Sequence, residues 1–417
     1  MQVHLVAIGT HGDVLPILAL ASALKGRGHS VALAAPAPFA PLAERAGIPF
    51  HGLGTEAGFA RFTAEPDLWR PWRGVEPLFS YVSDLTEPTY RWLAAEVRPE
   101  AGIVVASTLS LGARLAQERL GLNLATVHVM PFFMESRLDS PRLPGVPLPR
   151  FLPSRFRHWV GLGADKYVIG PAALPRLNAF RAELGLGPVR RLRYWWNLAP
   201  HLILMFPDWF TPPQADWPVQ AVQVGFPIAD RFGDTDRLDP DLEAFLDAGA
   251  PPLVFTYGSA MRQGRAFFET AVALCRRMGR RGVLLAPQAD QAPADLPPGL
   301  IHLPYAPLSA LLPRTAALVH HGGVGTVAQA LAAGVPQLIV PVAFDHFDEG
   351  SRVRRLDLGT VMSQRAFTPA RAARRLTRLL ASDRVARACA GARERMAGED
   401  GIARACAAIE RMAAERV

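Results

Sequence analysis

One pattern constrains this chain more than any other. An apolar run of strand length, a glycine-bearing turn and a run with helical spacing follow one another near the N-terminus and again in the second half. "VHLVAI" leads through "GTHGDVLP" into "LPILALASALKGRG", and "AALVH" leads through "HGGVG" into "TVAQALAAG". A further apolar run closes each set, "SVALAAP" in the first and "PQLIVPV" in the second. Such strand–helix–strand units need parallel strands covered on both faces. "PLVFTY", the helical "RAFFETAVALCRRMGRRG" and "VLLAP" add another unit to the second half. Because 417 residues exceed one ordinary core, the pattern predicts an α/β protein of two Rossmann-like doubly wound domains. Residues 206–240 are dense in Pro, Asp and Gly and read as the connection. The expected division is an N-terminal domain 1–225, a linker 226–240 and a C-terminal domain 241–417, whose last helix is a candidate to pack back on the first domain. Domains of this type bind ligands at the carboxyl ends of their strands, so ligands are expected in a cleft between the two.

Half the residues are hydrophobic and a fifth are charged, which excludes disorder as a description of the whole. No Lys/Arg-rich leader precedes the first apolar run, and no apolar run approaches the ~20 residues that span a bilayer. The expectation is a cytoplasmic protein, with at most peripheral attachment to the inner face of the cytoplasmic membrane. Cys275, Cys389 and Cys406 are scattered without CxxC spacing, as reduced structural cysteines are. The net charge of +8 is not spread as nucleic-acid binding would require. Residues 150–200 hold nine basic residues against two acidic ones, interleaved with Phe156, Trp159, Tyr167, Trp195 and Trp196. That mixture suits an acidic amphiphile or a membrane interface, and equally a solvated helical face over core aromatics.

The strongest chemical signal is "HHGGVGTVAQALAAGVPQLIVPVAFDHFDEG" from His320 onward. A strand ends in paired histidines, Gly322, Gly323 and Gly325 allow close backbone approach, and a helix starts near Thr326. Free amides and the helix dipole make that start a diphosphate site. Neither the dinucleotide G-x-G-x-x-G nor the G-x-x-x-x-G-K-[ST] of ATPases is present. "DTD", Asp234–Asp236, has the look of a metal-binding pair but no strand ahead of it, and the adjacent His320 and His321 lack metal-ligand spacing. No metal site is assigned.

These residues carry a resemblance. "HGGVGT…ALAAGVP…P…DH" and "GTHGDVLP…RGH" resemble the two signatures of the GT-B glycosyltransferases of family 1, the UDP-glycosyltransferase superfamily. Over the whole chain, "FPDWFTPPQADWP", "FPIAD", "PLVFTYGS" and "YAPLSALLP" are most similar to the rhamnosyltransferases of mono-rhamnolipid synthesis. The resemblance implies an N-terminal acceptor domain, a C-terminal donor domain and no cofactor beyond a nucleotide sugar, dTDP-L-rhamnose. His321, Gly322, Gly323, Gly325 and Thr326 match the diphosphate turn, and Gln329 stands where relatives hold the ribose. Asp345 and His346 take the place of an Asp-Gln pair on the sugar hydroxyls, Tyr305 that of an aromatic stacked on the base, and Ser259 faces the phosphates. Asp13 falls at the catalytic base, with His11 as an auxiliary or acceptor-positioning group. The supporting Asp of plant relatives would fall in "VVASTLS", which offers only Ser and Thr. The activity implied is inverting, metal-independent rhamnosyl transfer to a hydroxy-fatty-acid acceptor such as a 3-(3-hydroxyalkanoyloxy)alkanoate. The alternatives are a glycosyltransferase acting on a polyketide, sterol or carotenoid hydroxyl, or a catalytically idle partner protein of the same fold.

Overall fold

The structure is a computed structural model that describes residues 1–98, 102–146, 152–228 and 237–415. Contacts divide the chain into two compact units, Met1–Ala229 with Asp400–Val417, and Asp230–Glu399. Residues 226–228 close the first unit and 237–240 open the second; 229–236, and with them Asp234–Asp236, lie outside the described residues.

The first unit carries strands β1 (Gln2–Val6), β2 (Ser30–Pro36), β3 (Phe50–Leu53), β4 (Gly102–Ser107), β5 (Leu124–His128), β6 (His201–Leu204) and β7 (Ala221–Gln223). They form one parallel sheet in the order β3-β2-β1-β4-β5-β6-β7. Burial on both faces explains the near-continuous apolar runs: β5 and β6 are buried at every position. The last helix, Gly401–Ala414, belongs to this unit. Its Glu410 takes both Arg27 nitrogens, at 2.8 and 2.6 Å, and His29 at 2.8 Å, while Asn123 donates to the Met412 carbonyl at 2.9 Å. Arg27 and His29 together pull the Glu410 carboxyl down to about 2.

The second unit carries β8 (Leu253–Thr256), β9 (Gly282–Leu285), β10 (Leu300–Leu303), β11 (Ala317–His320), β12 (Gln337–Ile339) and β13 (Gly359–Val361), parallel in the order β10-β9-β8-β11-β12-β13. Leu242 and Leu246 from helix Pro240–Asp247 pack on Val254, Val283, Leu318 and Leu311 as one apolar core. In each sheet the winding reverses beside the first strand, between β1 and β4 and between β8 and β11. These are the switch points at which open α/β sheets take ligands. The three cysteines are buried, their thiols pushed up by burial to about 12 for Cys275 and about 11 for the other two, so none is a ready nucleophile.

Candidate active-site elements

At the first switch point β1 runs through Ala7 and Ile8 into Gly9, and the helix His11–Gly26 starts behind Thr10. Gly9 has φ +134, and a Cβ there would lie 2.1 Å from Asp13 Oδ2, so glycine is what lets the carboxylate fold back under the turn. Asp13, third residue of the helix, accepts the Thr10 amide at 2.9 Å as the carboxylate half of a capping box. Thr10 fills at most two of the roughly four acceptor positions of a carboxylate, which leaves capacity for a proton. Burial pushes Asp13 up to about 6, against the lowering effect of the bonds from Thr10. A base of that strength is ionised at pH 7 and still accepts a proton readily. His11 lies edge-on to Phe39 with ring centroids 5.0 Å apart, its Nδ1 buried without a partner, and burial lowers its pKa.

"VVASTLS" supplies what holds this turn. Ser107 Oγ at the end of β4 accepts the Ile8 amide at 3.0 Å, and Ser110 Oγ sits 3.0 Å from Ser107 Oγ. Hydroxyls of this stretch thus brace the backbone one residue before Gly9. The sequence offered no signal for this role beyond the residue type.

At the second switch point Thr256 of β8 pairs with His320 of β11, which pairs in turn with Ile339 of β12. The loops after these three strands therefore share one edge. His320 is fully buried; its Nδ1 accepts the Gly322 amide at 3.2 Å and its Nε2 meets Gln337 Oε1 at 3.0 Å. Burial lowers it to about 4. It is a structural lock on the turn, a role its place beside His321 did not reveal. Gly322 has φ +107, and a Cβ there would meet Ile339 Cγ2 at 2.9 Å and the His346 carbonyl at 3.1 Å. The helix begins at Val324, two residues before the expected start, with Gly323 as its N-cap. Gly325 and Thr326 are accordingly helical, and the turn proper is His321–Gly323. No side chain caps this helix and no acid stands in its first turn. The amides of Val324, Gly325 and Thr326 precede the first intrahelical donor, Val327, which bonds Gly323 O at 3.0 Å.

His321 is buried with Nδ1 unpartnered, its ring edge-on to that of His346 at 4.8 Å between centroids. Burial, and then His346 and His320, hold it well below the usual range, so it is neutral. Gly258, in the loop after β8, abuts its ring: a Cβ there would lie 3.3 Å away. Ser259 follows, exposed. Asp345 caps the helix His346–Arg355, its carbonyl taking the Asp348 and Glu349 amides at 2.8 and 2.9 Å, and the residue before it, Phe344, has φ +48. A left-handed aromatic residue stores strain, here beside two expected sugar contacts. His346 is buried, and burial lowers it to about 3. Gln329 is buried with Oε1 unpartnered. Tyr305, after β10, is 52% exposed, so its ring is a surface rather than a core aromatic. Sequence reading missed Glu349, fully buried with neither carboxyl oxygen bonded; burial and then Asp348 push its pKa well above the usual range, countered in part by Arg352. Among the described residues no group of three or more His, Cys, Asp or Glu could hold a metal ion.

Part of the basic segment follows the second of its two expected readings, with core aromatics and paired charge. Arg191 pairs with Glu135 at 2.6 Å and with Asp165 at 3.7 Å, Arg193 with Asp165 at 3.6 Å, and Arg181 with Glu118 at 2.6 Å. Arg181, Arg193, Trp195 and Trp196 are buried. The charge of Arg181 and Arg193 is met inside the fold, and Arg191, part-exposed, is already paired, so these three arginines are engaged by acids of the chain itself. Among the described residues no helix is long and apolar enough to cross a membrane.

Residues 3–138 match the glycosyltransferase family 28 N-terminal domain, and residues 282–408 the erythromycin biosynthesis protein CIII-like C-terminal domain. The N-terminal match thus carries the family 28 description rather than family 1. The chain is 32% identical over 372 residues to O-mycaminosyltylonolide 6-deoxyallosyltransferase of Streptomyces fradiae, covering 85% of this chain and 84% of the relative. It is 28% identical to vancomycin aglycone glucosyltransferase of Amycolatopsis orientalis, covering 86% and 85%. Among solved structures, the glycotransferase of kitacinnamycin superposes with a TM-score of 0.76 at 21% identity, over 99% of each chain. The calicheamicin glycosyltransferase CalG4 superposes with a TM-score of 0.73 at 21% identity, over 99% of this chain and 98% of that one.

Proposed function

Because this chain belongs to the GT-B glycosyltransferases of the family 28 and erythromycin CIII-like kind, within the UDP-glycosyltransferase superfamily, we propose that it moves a sugar from a nucleoside diphosphate to a hydroxyl of an apolar natural product, with inversion and without a metal. The observation that carries this reading is the uncapped helix start at Val324 beside a buried, unpartnered His321. Together they form a cradle for the leaving diphosphate, whose charge the amides, the helix dipole and the histidine N–H would meet. Asp345 and His346 would contact the sugar hydroxyls, Gln329 the ribose, Ser259 the phosphates, and Tyr305 would stack on the base. Asp13 would take the acceptor proton as the oxygen bonds the anomeric carbon and the bond to the diphosphate breaks. The name of the Streptomyces fradiae relative, a 6-deoxyallosyltransferase acting on a tylonolide, supports a 6-deoxysugar donor and a polyketide-type acceptor.

A second reading, L-rhamnose from dTDP-L-rhamnose onto a hydroxyalkanoyloxy-alkanoate, rests on the motif resemblance and is favoured by one observation. Phe156, Trp159 and Tyr167 stand 47%, 73% and 72% exposed, as an amphiphile-facing surface would have them. The test is to incubate the pure protein with a panel of nucleotide sugars against macrolide aglycones and hydroxy-fatty-acid dimers. Products are identified by mass, and anomeric configuration by NMR. An inverted glycoside on either acceptor class supports the reading and chooses between the two. Donor consumption without any glycoside, or no consumption, overturns it, as does a rate abolished by EDTA and restored by magnesium.

A further inference from the structure

Among the described residues, ion pairs fasten the helix Ser154–Ala164 and the π-helical turn Asp165–Ile169 that continues it from one side. From the inner side His158 reaches Glu135 at 3.7 Å, and Asp165 lies buried between Arg191 and Arg193 at 3.7 and 3.6 Å. From the outer side project Phe156 and Trp159, three apart on one helical face, and then Tyr167, with Lys166 Nζ 5.0 Å over its ring. Trp159 and Tyr167 are nearly three-quarters exposed, although such large rings ordinarily bury much of their surface. Arg155 and Lys166 are exposed beside them, and the single acid of residues 152–170, Asp165, is the one turned inward. The inner network thus uses up the negative charge and displays rings flanked by cations.

We propose that this outer face docks on an anionic phospholipid bilayer. Rings with an apolar body and a polar edge settle at headgroup depth, and the flanking cations meet lipid phosphates. Each cation near an anionic surface strengthens binding roughly fivefold. Attachment is peripheral and reversible, because a few rings and two cations fall far short of a spanning helix. The surface would place an apolar acceptor dissolved in the bilayer within reach of the enzyme. The docking itself holds whichever acceptor is used.

The full chain is mixed with vesicles of phosphatidylcholine and phosphatidylglycerol, which are anionic, and with pure phosphatidylcholine vesicles. Sedimentation with the anionic vesicles, weakening with salt, is expected. Trp159→Ser with Tyr167→Ser should abolish it, and Arg155→Gln with Lys166→Gln should weaken it roughly 25-fold. Brominated lipid should quench wild-type fluorescence more than that of Trp159→Phe, which places this indole in the bilayer. All four side chains are exposed and lie apart from the donor turn in sequence, so the variants should keep the wild-type Tm and nucleoside diphosphate affinity by calorimetry. That affinity also separates failure of docking from failure of the glycosyltransferase reading. Vesicle binding that is absent, or undiminished in the aromatic variant, overturns the proposal. So does a wild-type dimer that the aromatic variant converts to monomer, since the face would then be a contact between two copies.

Discussion

The two glycine turns are built on one plan and end in opposite chemistry. In each, a strand bordering the switch point runs into a positive-φ glycine, β1 into Gly9 and β11 into Gly322, and a helix begins within four residues. Even the second helical residue is the same, Gly12 in one and Gly325 in the other. The difference lies in what meets the helix dipole. In the first turn Thr10 and Asp13 close a capping box, so the chain supplies its own anion. In the second no side chain caps the helix and no acid is present, so the same field is left for a guest. On the proposed function, one architecture would make a base by filling the anion position and a diphosphate cradle by leaving it empty.

The sharpest way to break this comparison is Asp13→Asn. The amide oxygen can still accept from Thr10, so the cap and Tm should persist, while loss of the proton acceptor lowers kcat by roughly 10²–10⁴-fold. Donor affinity by calorimetry should stay as in the wild type. In the wild type kcat/KM should rise with pH as the free carboxyl ionises through about 6 and level off above it, and the variant should lack that limb. His11→Ala should keep measurable turnover; the reverse ranking moves the base to His11.

His321→Ala tests the other turn. A hydrogen bond to a charged group is worth about 1.5–3 kcal/mol, so nucleoside diphosphate should bind roughly ten- to a hundredfold more weakly. The proton acceptor is untouched, so the pH limb should remain near 6. Unchanged affinity would make the turn purely structural.

Gly322→Ala should act on the fold first. A Cβ at φ +107 costs about 1–2 kcal/mol before its contact with Ile339 is counted, and thermal melting without ligand should fall by several degrees. A variant that melts like the wild type would mean the turn tolerates another path, and the parallel with Gly9 would lose its structural half.

Much of this was legible because periodicity and glycine placement are local. Parallel sheets follow from apolar runs alternating with helical spacing, and the uncapped turn from "HHGGVG". Other features depend on partners far along the chain. The arginines of residues 150–200 look free in a window count because the acids that neutralise Arg181 and Arg191, Glu118 and Glu135, lie before the window. His320 and His321 are adjacent and identical in type, yet the first bonds the Gly322 amide and Gln337 of β12 while the second keeps a buried, unpartnered Nδ1. Glu349 gave no signal at all, since an acid in a helix is ordinarily read as exposed. The helix start was misplaced by two residues because glycine at Gly325 suggested a turn, although the backbone there is already helical.

That glycine gives the smallest effect and the cleanest one. Gly325 sits in ordinary helical conformation, and a Cβ added to it would meet nothing within 4 Å. The fold therefore has no need of glycine there. On helix propensity alone Gly325→Ala should leave stability unchanged or raise it by up to ~1 kcal/mol. If the cradle takes a diphosphate against the amides of Val324 to Thr326, the methyl group intrudes on the guest instead, and affinity should fall several-fold while Tm holds or rises. Gly12→Ala is the matching control. It too adds a Cβ to open space at the second residue of its helix, but at a turn already supplied with its own carboxylate. It should leave nucleoside diphosphate affinity untouched. Equal losses in both variants would mean that the nucleotide does not distinguish the two turns. A loss confined to Gly325 would locate the anion at the helix that has no cap of its own.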